Sequence, residues 1–152
     1  CFRMKVLLPV ILFFSFSLLL VACKTNAKVT SLDSYTKNMI AFSTGGGFTG
    51  VETIFTVLEN GQVFSASGLD PKKTVAFGSL PTKTTKSFFE KVNQINWAKD
   101  PINDPGNLYH TLSFGTNGNM KKQVWGGGKE TPSKEITDLY YELSNTINAL
   151  KK

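Results

Sequence analysis

Few side chains in this 152-residue chain have the type and spacing that chemistry needs. His110 is the only histidine, and it falls between Leu108 and Leu112 in an alternating stretch. A serine–histidine–acid hydrolase would require it, yet no Gly-x-Ser-x-Gly elbow occurs. It reads instead as a hydrogen-bonded, half-buried side chain. Asp100, Asn103, Asp104 and Asn107 collect oxygen atoms. A calcium loop alternates its ligands, however, and position 102 is isoleucine. Asx turn chemistry, in which these side chains bond the nearby backbone, explains the same residues. The two cysteines, Cys1 and Cys23, both lie near the start. The remainder of the chain therefore has no thiol for a zinc site, a nucleophile or a disulfide. No catalytic residue, metal site or cofactor is assigned on these grounds.

Two glycine clusters are the remaining candidates. Residues 45–50 hold Phe48 and Thr49 between glycines. No Gly-Lys-Ser/Thr follows, and a strand rather than a helix comes next, so this is not a phosphate loop. It reads as a wide hairpin or as a loop offering an aromatic ring. Residues 126–128, followed by Lys129, lie between a strand and a helix start. Free amides, the helix dipole and a lysine could receive an anion there, with Glu130 opposing it. Phe48, Thr49, Trp125 and Lys129 are therefore the candidate ligand- or partner-binding residues. This assignment requires the strands preceding the two clusters to run the same way.

The elements that must position them follow from hydrophobic period and turn signals. Residues 38–43 and 51–58 read as strands, the second β-branched and aromatic. Asn60 and Gly61 signal a two-residue hairpin. That turn would pair Leu58 with Val63 and put Phe55, Val57, Phe64 and Ala66 on one core face. Residues 74–79 make a further short strand. A helix is expected from Pro81 and Thr82 to about Ile95, with Phe88, Val92 and Ile95 on one stripe and Trp97 packed under its end. Residues 99–107 read as a loop. Residues 108–114 alternate, with Leu108, His110, Leu112 and Phe114 on one side. Asn117 and Gly118 turn the chain into a strand over residues 120–125. A strict turn there sets Phe114 opposite Lys121, and a bulge near Gly115 would avoid it. Thr131 as cap and Pro132 at the first helical position open the last helix. Its inner face is Ile136, Leu139, Tyr140, Leu143, Ile147 and Leu150. The expected fold is α+β: a single antiparallel sheet of about five strands with two helices packed on one face.

The chain start has its own order. Met4 and Lys5 precede an apolar run from Val6 to Leu20, and small residues then lead to Cys23. A charged start, an apolar core and small residues make a secretory signal, with translation expected from Met4. Leu20, Val21 and Ala22 directly before Cys23 resemble the lipobox of bacterial lipoproteins. The resemblance implies that Cys23 is acylated and becomes the first residue of the mature chain. The chain is thus divided into a signal peptide over 1–22, a lipidated cysteine and tether over 23–37, and one domain over 38–152. The competing reading of the apolar run is an uncleaved anchor of near-minimal length.

Loss of the signal leaves fifteen basic residues, all lysine, against eleven acidic ones. Nucleic-acid surfaces favour arginine forks, so no nucleic-acid partner is expected. Lys24 and Lys28, beside the anchor, suit anionic headgroups or envelope glycans. Together with the glycine stretch, the start resembles small envelope lipoproteins of unassigned function from Bacteroidetes-like bacteria. That resemblance implies a protein held in the bacterial envelope, at the outer membrane facing the periplasm, and the domain is expected to be a monomer. No activity follows from the resemblance; the first expectation is a non-enzymatic domain that binds an envelope protein or glycan. A small hydrolase or a purely structural envelope component are the alternatives.

Overall fold

The computed structural model describes residues 27–97 and 101–151. Cys23 and the signal segment lie outside the described residues. Seven strands form one sheet: β1 Met39–Gly46, β2 Thr53–Leu58, β3 Gln62–Ser67, β4 Asp70–Ser79, β5 Asn103–Asp104, β6 Leu108–Thr116 and β7 Asn119–Trp125. Their order across the sheet is β4-β3-β2-β1-β6-β7-β5. The α+β class is as expected, but the sheet is larger and is mixed rather than wholly antiparallel. The two-residue β5 pairs parallel to β7, with Asn103 beside Val124 and Asp104 beside Trp125. Nothing local marks β5, which sits between Pro101 and Pro105. Its partners are distant in the chain: Ile102 donates its N–H to Gln123 Oε1 at 2.7 Å, and its carbonyl accepts from Val124 N–H.

Helices α1 (Thr82–Gln94) and α2 (Lys134–Ala149) cover one face. Phe88, Phe89, Val92 and Ile95 of α1 meet Ile136, Leu139, Tyr140, Leu143 and Ile147 of α2 over Ile40, Phe42, Val57 and Leu112 of the central strands. Trp97 closes the end of α1, donating Nε1–H to the Val92 carbonyl at 3.1 Å and stacking on Phe114. Both stripes are those the 3.6-residue period requires. Helix α2 begins at Lys134, with Ser133 rather than Thr131 in the cap position. Glu135 lies in its first turn, where a carboxylate suits the positive end of the helix dipole. Pro132 is buried ahead of that turn, and Thr131 is left outside it.

The first hairpin differs from expectation by one residue. Val57 pairs with Val63 and Thr56 with Phe64. The connection is therefore three residues long, closed by Gly61 N–H on the Leu58 carbonyl at 2.9 Å. Gly61 takes φ +88°, while Asn60 keeps a negative φ, so the turn that needs two positive angles does not form. Asn60 is held by its own amide: Oδ1 accepts Gln62 N–H at 3.0 Å and Nδ2 reaches Gln62 Oε1 and the Ala27 carbonyl. A one-residue slip sends alternate side chains to the other face. Phe55, Val57 and Val63 join the helix-covered core. Phe64 joins a second cluster on the opposite face with Tyr35, Met39 and Leu58, and Ala66 lies on that face too.

Residues 29–37, within the stretch read as a tether, supply the cover for that second cluster. Val29 and Leu32 pack on it, and a single 3-10 turn, Leu32–Ser34, brings Tyr35 inward. The second hairpin keeps its strict two-residue turn, with Phe114 opposite Lys121 and no bulge at Gly115. Phe114 finds its apolar partners in Phe89 and Trp97 instead.

Leu143 is fully buried under α2. Leu143→Ala should cost about 2–5 kcal/mol, the range for a truncated core leucine. Denaturant unfolding checks this, and an unchanged midpoint would show that the α2 stripe is not core.

Candidate functional site

Strand β6 lies between β1 and β7 and is antiparallel to both. Strands β1 and β7 therefore run the same way, and both glycine clusters leave the sheet at one end. Residues 107–109 pass between them. The Asn107 carbonyl accepts Gly47 N–H at 2.6 Å. A Cβ at Gly46 would run into that carbonyl, and one at Gly126 into the carbonyl of Leu108. Only glycine permits such close backbone approach from both sides.

The four candidate residues share this end but not one role. Phe48 is fully exposed at the loop tip. Thr49 beside it is exposed, its Oγ1 3.5 Å from Val51 N–H. Lys129 is exposed too. Trp125 is buried, its ring edge-on to Tyr140 at 5.2 Å and tilted against His110 at 5.7 Å. Trp125 thus walls the interior below the loops, while Phe48 and Thr49 stand outside.

Three amides of the second cluster are already filled, those of Gly127, Lys129 and Glu130. Asp104 Oδ2 accepts the N–H groups of Lys129 at 2.8 Å and Glu130 at 3.0 Å. The Asp104 carbonyl takes Gly127 N–H at 2.8 Å. A Cβ at Gly127 would meet the same carboxylate. The anion that this loop could receive is a residue of the chain. The hydrogen bonds from Glu130 and Lys129, and then the charge of Lys129, hold the Asp104 carboxyl below its ordinary value.

Beneath Phe48 the polar side chains form two closed groups. On the helix side, Tyr140 OH lies 2.5 Å from Thr44 Oγ1 and 2.9 Å from His110 Nδ1. Burial pushes the His110 pKa down and the Tyr140 pKa up, so both are neutral in the folded protein near neutral pH. A lowered histidine pKa costs stability once acid charges the unfolded chain first, that is, as pH falls below about 6.5. On the other side, Ser43 Oγ donates to Glu52 Oε1 at 2.5 Å and lies 2.5 Å from Thr111 Oγ1. Tyr109 also bonds Glu52; burial, then that carboxylate, raises its pKa. Ser43 is only 2 % exposed, which keeps its hydroxyl from any substrate. Among the described residues no group of three His, Cys, Asp or Glu side chains could hold a metal ion.

Sequence reasoning named Phe48 but missed the other apolar side chains exposed at this end. The exposed large apolar side chains among the described residues are Phe48, Leu69, Val75, Leu108 and Tyr141. All but Val75 lie here. Leu108 stands on the last rung, opposite Gly46. Leu69 follows Gly68, whose N–H meets the Glu52 carbonyl at 2.5 Å. Tyr141 packs edge-on against Tyr140, 6.3 Å from His110. The alternating pattern that carried Leu112 inward gave Leu108 the same face, but that face has no cover at its final rung. Phe48 between glycines and two adjacent tyrosines midway along α2 were the signals in the sequence.

Asp104 makes the loop sensitive to acid. Its folded pKa lies below the unfolded one, so its contribution is complete above about 3.8 and is lost as pH falls through the folded value. The Lys129 and Glu130 amide proton shifts should titrate together with a midpoint below 3.8. Asp104→Asn should abolish that titration. A midpoint at or above the ordinary aspartate value would remove the assignment.

Compared with protein-family models and with curated proteins, the chain matches none.

Proposed function

We propose that the chain is a bacterial envelope lipoprotein, acylated at Cys23, whose domain recognises a protein partner through its glycine-rich end and performs no catalysis. The observation that carries this reading is the gathering of Phe48, Leu69, Leu108 and Tyr141 at one end of the sheet. Soluble domains expose single apolar residues everywhere, but grouped ones mark interaction sites. The end is also remote from the N-terminal segment. Residues 27–29 lie at the Asn60 turn, where β1 begins, and the glycine clusters lie where it ends. The eight residues of β1 separate the two ends by about 25 Å. A domain attached near residue 27 presents the Phe48 end away from its attachment.

Two aliphatic side chains among the four favour a protein over a glycan, since sugars stack on aromatic faces and gain less from leucine. The polar groups below are spent on one another, which suits a braced platform better than a reactive site. Among the described residues no helix is long and apolar enough to cross a membrane. Attachment under this reading depends on Cys23 and its lipid. The outer membrane, facing the periplasm, is the location it implies.

Two measurements test this. Cys23→Ser should lose fatty-acid labelling and signal removal; retained labelling with membrane partitioning would refute the anchor. A photo-crosslinking side chain at Leu69 should capture one partner in cells. Phe48→Ser with Leu108→Ser should eliminate that product without changing thermal stability, and Val75→Ser should leave it. An equal yield from all three proteins would rule out recognition at this end.

A further inference from the structure

We infer that the opposite end of the sheet is a second contact surface, docked on the anionic headgroups of the membrane that holds the chain. This rests on the lipoprotein reading above, and it adds an orientation to it. The turns at Asn60 and Asn117 and the β4–α1 connection all leave the sheet where β1 begins. The N-terminal segment is fixed to the same end. Val29 donates its N–H to Gln62 Oε1 at 2.6 Å, and its carbonyl accepts from Gln62 Nε2 at 2.9 Å. Tyr35 OH accepts Glu59 N–H at 3.2 Å. Cys23 stands four residues before Ala27, so a lipid on it lies at most about 14 Å from this end along the chain.

The charges there are one-sided. Lys28, Lys37, Lys83, Lys121 and Lys122 are exposed, against Asp33 and Glu59. Lys83 is placed by Leu80, whose N–H meets the Gly61 carbonyl at 2.8 Å just before α1. Lys121 and Lys122 follow the Asn117 turn. The ion pairs between described residues, Lys86–Glu90, Lys91–Glu142 and Lys134–Asp138, use none of the five. At the glycine-rich end the balance reverses: Glu52, Asp70, Asp104, Glu130 and Glu135 outnumber Lys73, Lys129 and Lys134. The domain is therefore polar along β1, with its positive end beside the attachment point.

The arrangement of these lysines identifies what they meet. They are compact point charges spread over two turns, a helix start and the N-terminal segment, with no arginine fork among them. They do not converge on one anion. A spread of this kind fits a planar negative surface, whose attraction acts over about a Debye length, roughly 8–10 Å at moderate salt. Two shallow hollows, of about 480 and 340 Å3, flank the N-terminal segment, with Lys28 on one and Lys37 on the other. A lipid restrains the distance of the domain from the bilayer. The lysines add a preferred side, and the Phe48 end then faces outward.

Lysine footprinting tests this on the full-length protein. An amine-reactive reagent is applied in the presence of phosphatidylcholine vesicles, or of vesicles in which roughly one-third of the lipid is phosphatidylglycerol. With anionic vesicles Lys28, Lys37, Lys121 and Lys122 should react several-fold more slowly, and high salt should restore them. Lys129 and Lys86 should be unaffected. Lys121→Glu with Lys122→Glu, both at exposed positions, should leave the fold intact and return Lys28 and Lys37 to their vesicle-free rates. Equal protection by both vesicle types, or equal protection of Lys129, would overturn the inference. The mass of the Cys23 peptide reads the anchor separately. Acylated Cys23 with unprotected lysines sinks the docking surface alone, and unmodified Cys23 sinks the anchor while the footprint still decides the surface.

Discussion

Strand β6 sets what the rest of the molecule can do. It is antiparallel to both neighbours, so β1 and β7, distant in sequence, run the same way. That geometry brings two glycine-rich exits to one end and threads residues 107–109 between them with no room for a Cβ on either side. The same strand carries His110 and Leu112 under α2 and Tyr109 and Thr111 on the other face. Its helix-side residues join the core and the Tyr140 bonds, and its other face joins the Ser43 and Glu52 bonds. Both glycine clusters depend on this middle strand. If β6 were displaced, Gly46 and Gly126 would lose the carbonyls they approach, and the ledge beneath Phe48 would have no floor.

Helix faces were legible because their signal is long. Phe88, Val92 and Ile95, and then Ile136, Leu139, Leu143 and Ile147, repeat over several turns, and one misjudged residue does not move a stripe. Sheets forgive less. Asn60 and Gly61 marked the hairpin correctly, but loop length depended on how the Asn60 amide bonded to Gln62 and to Ala27, thirty-three residues earlier. The resulting slip moved Phe64 and Ala66 to the opposite face. Strand β5 was illegible for a related reason. Two polar residues between prolines carry no period, and their ladder partners lie about twenty residues on. The direction of the two glycine exits was posed as a condition that sequence could not decide, and β6 decides it.

The second glycine loop shows how a local motif misleads when its ligand is part of the fold. Amides at a turn before a helix invite an anion. Asp104 supplies it from a separate strand, and its proximity to residues 127–130 follows from the parallel β5–β7 pairing. The turn chemistry read at Asp104 was correct in kind, since its carboxylate does bond backbone, but the backbone lies 25 residues away rather than beside it. Exposed apolar residues were hidden for the opposite reason: exposure belongs to the assembled end and to no single segment. Phe48, Leu69, Leu108 and Tyr141 come from four different segments: the β1–β2 loop, the β3–β4 turn, the first residue of β6 and the middle of α2.

Gln62 carries a mechanical consequence. Its carboxamide meets both the N–H and the carbonyl of Val29, as a neighbouring strand would. Tension applied through the N-terminus reaches these two bonds and the Asn60 contact before it reaches any strand ladder or helix. Side-chain bonds at an open surface give way before a cooperative sheet. Their release, with loss of the small Tyr35 cluster, would pay out residues 27–37 while the seven strands stay closed. Eleven residues extend to about 38 Å. The segment is thus a folded reserve of length: its extended span exceeds that of β1, and under load it lengthens the tether with the outer end still assembled.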